Sequence, residues 1–328
     1  MLEAALPTLE VLRLPVQDRL ERVESVLRDL VTSDFGPINE VGDYLFSVRG
    51  KYLRPNLLLL ANEVGGSPDR RAERLAAIVE LMHVATLVHD DSVDHSPKRR
   101  GLPTVNERWT HQVAVIMGDY LYSRALLEVT RTGPVEAVSI LAAASNQMSI
   151  GEMRQLAAHD ALSTTEADYF RLCRCKTASL MSAACEIGAM VGVSEYREPL
   201  AAYGLDLGMA FQIVDDLIDY TVSSDITGKP SGLDLREHKV TLPLIAALPA
   251  MDAEARATVS DLFADPEPSD ELVRLVGESV REAGGLDHAR EQATRFARSA
   301  RSRLDIIPED PFVRILRLTV DFVLERQK

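Results

Sequence analysis

The sequence predicts an all-α protein, a bundle of long helices packed around a buried centre. Three observations predict it. Apolar residues recur at helical spacing along most of the chain. Extended alternation of β-branched residues is nearly absent. Long runs without helix breakers end at clear stop signals: Gly133-Pro134, Asp265-Pro266, Gly284-Gly285 and Pro308.

The elements follow in order. Arg19 to Thr32 sets Leu20, Val23, Val26, Leu27 and Leu30 at helix spacing. Arg71 to Asp94 reads as one long apolar helix that ends in acidic residues. Thr110 to Arg131 follows and stops at Gly133-Pro134. Val135 to His159 is rich in alanine and apolar residues. Thr165 to Val191 reads as one helix, with Ser163 or Thr164 as its cap before Glu166. Pro199 to Tyr220 is another helix, and amphipathic helices continue from Asp252 onward. No Ser- or Gly-rich linker divides the chain, so residues 1–328 are expected to form a single domain.

Composition narrows the class. The 328 residues are enough for a large core, and 46% apolar with 26% charged is ordinary for a globular protein. A net charge of −14 argues against non-specific nucleic-acid binding and against docking on anionic lipid. Cys173, Cys175 and Cys185 form no Cys-x-x-Cys pair, and an odd count points to buried thiols in a reducing compartment. The N-terminus lacks a basic start followed by an apolar core, and no run of about 18 apolar residues appears. A cytoplasmic location is expected, with no membrane span.

Two clusters of aspartates carry the chemistry. Asp90, Asp91 and Asp94 close the long helix, and Asp215, Asp216 and Asp219 lie on the later one. Residues four apart share a helix face, so Asp90 pairs with Asp94 and Asp215 with Asp219. Gathered carboxylates repel one another unless cations hold them. Mg²⁺ prefers oxygen ligands, keeps several waters and shares its shell with substrate phosphates. Each cluster runs into a basic loop: His95 to Thr104 with Lys98, Arg99 and Arg100, and Ser223 to Thr241 with Lys229 and Lys239. One such cluster is more often a solvated helix end. Two, each with a basic loop, point to a pocket for a metal-bound diphosphate.

The chain resembles the trans-isoprenyl (polyprenyl) diphosphate synthases, of the medium- to long-chain type. The stretches that carry the resemblance are GKYLRP at 50–55, ELMHVATLVHDDSVD at 80–94, RRGLPTVN at 99–106, GDYLYSRA at 118–125, GEMRQL at 151–156, KTASLMSAAC at 176–185 and the long segment 211–243. The resemblance implies an isoprenoid synthase-type bundle around a central apolar cavity, three Mg²⁺ ions per site, and a homodimer. It implies condensation of isopentenyl diphosphate with an allylic diphosphate to a trans-polyprenyl diphosphate. The allylic C–O bond ionises, the second substrate's double bond attacks the cation, and a proton is lost.

Residue by residue, it implies that Asp90, Asp94 and Asp215 are the leading metal ligands. Asp91, Asp216 and Asp219 would support them or reach the metal through water. Arg99, Lys176, Lys229 and Lys239 would grip the allylic diphosphate. Lys51, Arg54, His83 and Arg100 would hold isopentenyl diphosphate. Thr177 and Gln212 would face the reacting centre. Tyr52 and His238 depart from the pattern, standing where relatives often have a basic residue and a glycine. Asp119 and Trp109 read as structural, and Glu152 and Gln155 as cavity-lining or as a contact between helices.

Product length turns on Ala85, with Met82 and Leu81 deeper on the same helix. In relatives with short products an aromatic residue commonly stands five before the first Asp, closing the tunnel. Here that residue is Ala85, so a product of about C30–C50 is expected from steric filling. The alternatives are a short-chain farnesyl or geranylgeranyl synthase, a terpene cyclase or head-to-head condensing enzyme, an all-α histidine-aspartate metal phosphohydrolase built on His83 and His89-Asp90, and a non-catalytic partner subunit.

Overall fold

The computed structural model describes residues 7–47, 50–99, 101–156, 161–221 and 232–326. The fold is all-α, and among the described residues the strands are one two-residue hairpin pairing Lys98–Arg99 with Leu102–Pro103. Arg100, Lys229 and most of the loop that carries Lys229 lie outside the described residues. The chain forms two compact units. One comprises Met1–Asn146, Leu180–Gly204 and Arg303–Thr319, the other Gln147–Ser179, Leu205–Ser302 and Val320–Lys328.

The first unit is built around the helix Arg71–Val93. Its residues Leu75 to Val79, Leu81, Met82, Ala85 and Val88 are all buried, so apolar side chains surround it rather than forming one stripe. It packs against His111–Thr132, Gln17–Val31 and Leu53–Glu63. In Leu53–Glu63 the run Leu57 to Leu60 is wholly buried. A neighbour approaches that run closely at Gly188, where an added Cβ would stand 2.2 Å from the Leu58 carbonyl oxygen. In Gln17–Val31, Leu20, Val23, Leu27 and Leu30 face the core as the spacing requires, while Val26 is only partly covered.

The second unit has its own core. Tyr169, Met209, Ile213, Leu235, Leu242, Leu262, Val276 and Leu286 pack together there. Asp270–Glu282 turns Val273, Val276 and Val280 inward, and Ser269 caps its start by accepting from the Leu272 amide at 3.2 Å.

The stretch read as one helix over Thr165 to Val191 is interrupted. A helix Glu166–Cys173 passes through a single π turn, Arg174–Ala178, into Ser179–Val191. Such a turn adds a residue to the winding and shifts the faces beyond it, a device frequent at functional sites. The cap is also one residue later than expected. Thr165 Oγ1 accepts from the Asp168 amide at 3.2 Å while Asp168 Oδ2 accepts from the Thr165 amide at 3.4 Å. Thr164 has Ala167 three positions on and cannot close such a box; Ser163 has Glu166 there, but the structure uses Thr165 with Asp168. The helix expected to reach His159 is described from Val135 to Leu156, and His159 lies outside the described residues.

Candidate active site

In the first unit, the helix Arg71–Val93 delivers the first acidic cluster at its C-terminal end, and the Asp94 amide donates to the Asp90 carbonyl at 2.8 Å. Carboxylates there oppose the helix dipole, so the arrangement costs stability in the absence of a cation. Asp90 is half-buried, Asp94 exposed and Asp91 buried. Arg99, on the hairpin, answers Asp91: its Nε lies 2.8 Å from both carboxylate oxygens and its Nη2 2.8 Å from Oδ1. The hairpin is itself tied down, with Tyr44 donating to the Pro103 carbonyl at 2.6 Å and Thr104 Oγ1 to the Ser96 carbonyl at 2.6 Å. Trp109 packs edge-on against Tyr44 at 5.2 Å, a structural contact.

A cleft of about 100 Å³ opens beside this helix, lined by Tyr44, Phe46, Gly50, Tyr52, Glu80, Val88, Asp91 and Arg99 among others. Tyr52 adopts a left-handed backbone, φ 44°, ahead of the helix Leu53–Glu63. Lys51 beside it is exposed and His83 is half-buried. Arg54 sits in the first turn of that helix. Burial pushes its guanidinium below the ordinary range and the Glu80 carboxylate pulls it back. Its Nε is buried with no hydrogen-bond partner among the described residues. A buried donor left unmatched is costly, and an anionic ligand would answer it.

His89 is occupied elsewhere. Its Nε2 lies 3.1 Å from the Val115 carbonyl and 3.3 Å from Asp119. Gly118 makes room for the ring, since a Cβ there would stand 2.3 Å from Nε2. That ring nitrogen serves packing rather than a joint metal site with Asp90.

In the second unit, the helix Arg197–Thr221 carries the other cluster, and its three acids differ sharply. Asp215 keeps 56% of its side chain exposed and pairs with Arg326 at 3.0 Å. Asp216 is buried and accepts from the Tyr169 hydroxyl at 2.6 Å and from Gln212 Nε2 at 2.8 Å. Gln212 Oε1 in turn accepts from Thr177 Oγ1 at 2.6 Å. The π turn thus brings Thr177 to Gln212 and, through it, to Asp216. Asp219 accepts from the backbone amides of Leu233 and Asp234 at 3.1 and 3.0 Å. It therefore acts first as a cap for the turn Leu233–Arg236, within the second basic loop.

The two described cations predicted for this unit, Lys176 and Lys239, are also held by carboxylates. Lys176, on the π turn, forms an ion pair with Glu152 and donates to Gln155 Oε1 at 3.3 Å. Lys239 pairs with Glu237 at 2.6 Å. His238 has φ 53°, a left-handed conformation that suits the glycine of relatives, and its Nε2 lies 2.9 Å from the Asp265 carbonyl. The three cysteines are free and buried.

Burial raises the Asp216 carboxyl to about 7, with repulsion from Asp215 and Asp219 adding to it and the Tyr169 and Gln212 hydrogen bonds opposing it. A carboxyl whose folded value exceeds its unfolded one binds more protons when folded, so stability falls as pH rises from the ordinary value towards about 7. In EDTA, the melting temperature of the wild type is expected to drop across that window, and Asp216→Asn to flatten the drop: its amide oxygen can still accept from Gln212, while its NH2 can only donate, to the Tyr169 hydroxyl oxygen. Superimposable pH profiles for the two proteins would refute the assignment.

The donors fit Mg²⁺ better than a transition metal. Asp90, Asp94 and Asp215 carry hard carboxylate oxygens, exposed in Asp94 and Asp215 and half-buried in Asp90. Among the described residues no group of three or more His, Cys, Asp or Glu side chains is gathered as a ligand set. Mg²⁺ takes hard oxygen ligands, retains water and shares its shell with phosphate oxygens. Sequence reasoning missed Tyr169, Arg326 and the pairing of Glu152 with Lys176. The 21 residues between Gln155 and Lys176, and the 111 between Asp215 and Arg326, leave no local signal. Among the described residues no helix is long and apolar enough to cross a membrane.

Comparison with known proteins gives the family and the fold. The family model for polyprenyl synthetase matches residues 36–278. An all-trans-nonaprenyl-diphosphate synthase (geranyl-diphosphate specific) of Rhodobacter capsulatus is 36% identical over 313 residues, covering 94% of this chain and 96% of that protein. A decaprenyl diphosphate synthase structure from Rhodobacter capsulatus superimposes with a TM-score of 0.91 at 37% identity, covering 98% of this chain and 100% of the other. A polyprenyl synthase from Caulobacter crescentus CB15, crystallised with calcium and isoprenyl diphosphate, gives 0.93 at 32% identity and 99% coverage of both chains. The chain belongs to the polyprenyl synthetase family, and it is a prenyltransferase.

Proposed function

We propose that the protein is a Mg²⁺-dependent trans-polyprenyl diphosphate synthase that extends an allylic diphosphate with isopentenyl diphosphate to about C30–C50. The observation that carries this reading is the state of the two acidic clusters. Each presents a solvent-exposed aspartate, Asp94 and Asp215, and the neighbouring cations Arg99, Lys176 and Lys239 are held in place by carboxylates. Those cations are oriented, and a diphosphate can replace the carboxylate on each.

Asp90, Asp94 and Asp215 would hold Mg²⁺, supported by Asp91, Asp216 and Asp219. Bound there, the ions supply positive charge to the leaving diphosphate. Arg99, Lys176, Lys239 and Lys229 would grip the same diphosphate. Thr177 donates to Gln212 Oε1, which fixes the amide dipole beside the reacting centre. Lys51, Arg54, His83 and Arg100 would take isopentenyl diphosphate, and the unmatched Arg54 Nε supports that role. Ala85, Met82 and Leu81 would line the path of the growing chain. Relatives named for nonaprenyl and decaprenyl products support the longer lengths.

The unbroken family match from 36 to 278, which runs through segments of both units, supports one catalytic domain. Three free, buried thiols support a cytoplasmic setting.

The test is incubation of the purified chain with Mg²⁺, isopentenyl diphosphate and each of several allylic starters, followed by chain-length analysis. Diphosphate release without elongation would overturn the proposal. Arg54→Ala is expected to raise KM for isopentenyl diphosphate by on the order of 10–100-fold, the loss of one charge-assisted contact, with KM for the allylic substrate little changed. Equal effects on both substrates would show that Arg54 does not serve one of them.

A further inference from the structure

We infer that Arg326 is a positioning residue for the second acidic cluster: a resident cation that fixes Asp215 and balances its charge until the metal arrives. The inference rests on the reading of Asp215 as a metal ligand.

Arg326 is an unusual counter-ion. Only 4% of its side chain is exposed, whereas 56% of Asp215 is. A buried guanidinium is costly unless its charge and donors are answered. Its Nη2 donates to the Phe211 carbonyl at 2.8 Å and to Asp215 Oδ1 at 3.0 Å. Its guanidinium carbon lies 3.7 Å from the centroid of the Phe211 ring. Phe211 and Asp215 are one turn apart on the same helix face, so one Arg spans both. Phe211 holds the guanidinium through neutral groups. The charge is thereby presented to Asp215 from a fixed position.

The neighbouring acids explain why a cation is needed there. Asp216 has the Tyr169 hydroxyl and Gln212, and Asp219 has two backbone amides. Those donors are neutral dipoles. Asp215 has a full charge opposite it, on Oδ1. Its exposed remainder stays open to a divalent ion. Arg326 thus sets the carboxylate's orientation and limits repulsion within the cluster, and the metal later takes over part of the second task.

The test separates charge from anchoring. Arg326→Gln keeps a donor for the Phe211 carbonyl and removes the charge; Arg326→Lys keeps the charge. Melting temperatures are measured in EDTA and in Mg²⁺ with inorganic pyrophosphate, for these variants, the wild type and Asp215→Asn. The expected result is a drop of several degrees for Arg326→Gln in EDTA. Most of that drop should be recovered in Mg²⁺–pyrophosphate, and Arg326→Lys should stay near wild type in both. In EDTA the Arg326→Gln/Asp215→Asn double variant should melt above the sum of the single effects, the sign of a direct coupling. Equal drops with and without Mg²⁺, or strictly additive singles, would make Arg326 a plain anchor for its helix and overturn the inference. If instead Asp215→Asn retains the full metal-induced rise of the wild type, the ligand reading of Asp215 fails first, and the inference with it.

Discussion

Alanine at Asp90 or at Asp215 is expected to lower turnover by on the order of 10²–10³-fold at saturating Mg²⁺, because each change removes charge stabilisation of the leaving group. The two variants should differ in stability, and the structure gives the reason. Asp90 stands at the C-terminal end of the helix Arg71–Val93, where its charge opposes the helix dipole and crowds Asp91 and Asp94. Asp90→Ala relieves that repulsion and should lose less stability in EDTA than Asp215→Ala. Asp215 instead answers the buried Arg326, so Asp215→Ala leaves that charge without its carboxylate and should melt lower. Turnover assays beside melting curves check both halves. Near-normal turnover in both variants would remove the metal assignment, and a larger drop in melting point for Asp90→Ala than for Asp215→Ala would refute the electrostatic argument.

Phenylalanine at position 85 is expected to shorten the product to about C15–C20, the length at which steric closure occurs at that depth. Ala85 is 1% exposed, and Met82 and Leu81 deeper along the same helix are fully buried. It lies five residues before Asp90, so a chain growing away from the first cluster along this helix meets it early. A ring there either projects into the path of the chain or collides with packed neighbours. The first outcome gives an active enzyme with shorter products, and the second a less stable one. Product analysis with one starter for wild type and variant distinguishes them. An active Ala85→Phe enzyme with unchanged product length, or a wild-type product of about C20 or less, would reject the tunnel assignment.

Helices and family were legible in the sequence because their signals are local. The apolar period of 71–94 marks the central helix to within one residue, Arg71–Val93. The doubled Asp-Asp-x-x-Asp pattern with its basic loops is likewise written in consecutive residues, and so is the breaker Gly133-Pro134. The cap at Thr165 was misplaced by one residue, although Asp168 was there to be read. The π turn at Arg174–Ala178 leaves no mark on an apolar pattern that continues across it.

What each acid of the clusters touches was decided by the tertiary structure alone. By sequence Asp215, Asp216 and Asp219 are near-equivalent members of one motif. In the fold the first faces a buried cation, the second lies among a tyrosine and a glutamine, and the third caps a turn. Their partners Arg326, Tyr169 and Leu233 are 111, 47 and 14 residues away along the chain. Periodicity and spacing report which residues share a helix face. They are silent on which distant side chain that face meets, because that is set by how helices pack, and packing is where burial, charge and hydrogen bonding assign each carboxylate its separate environment.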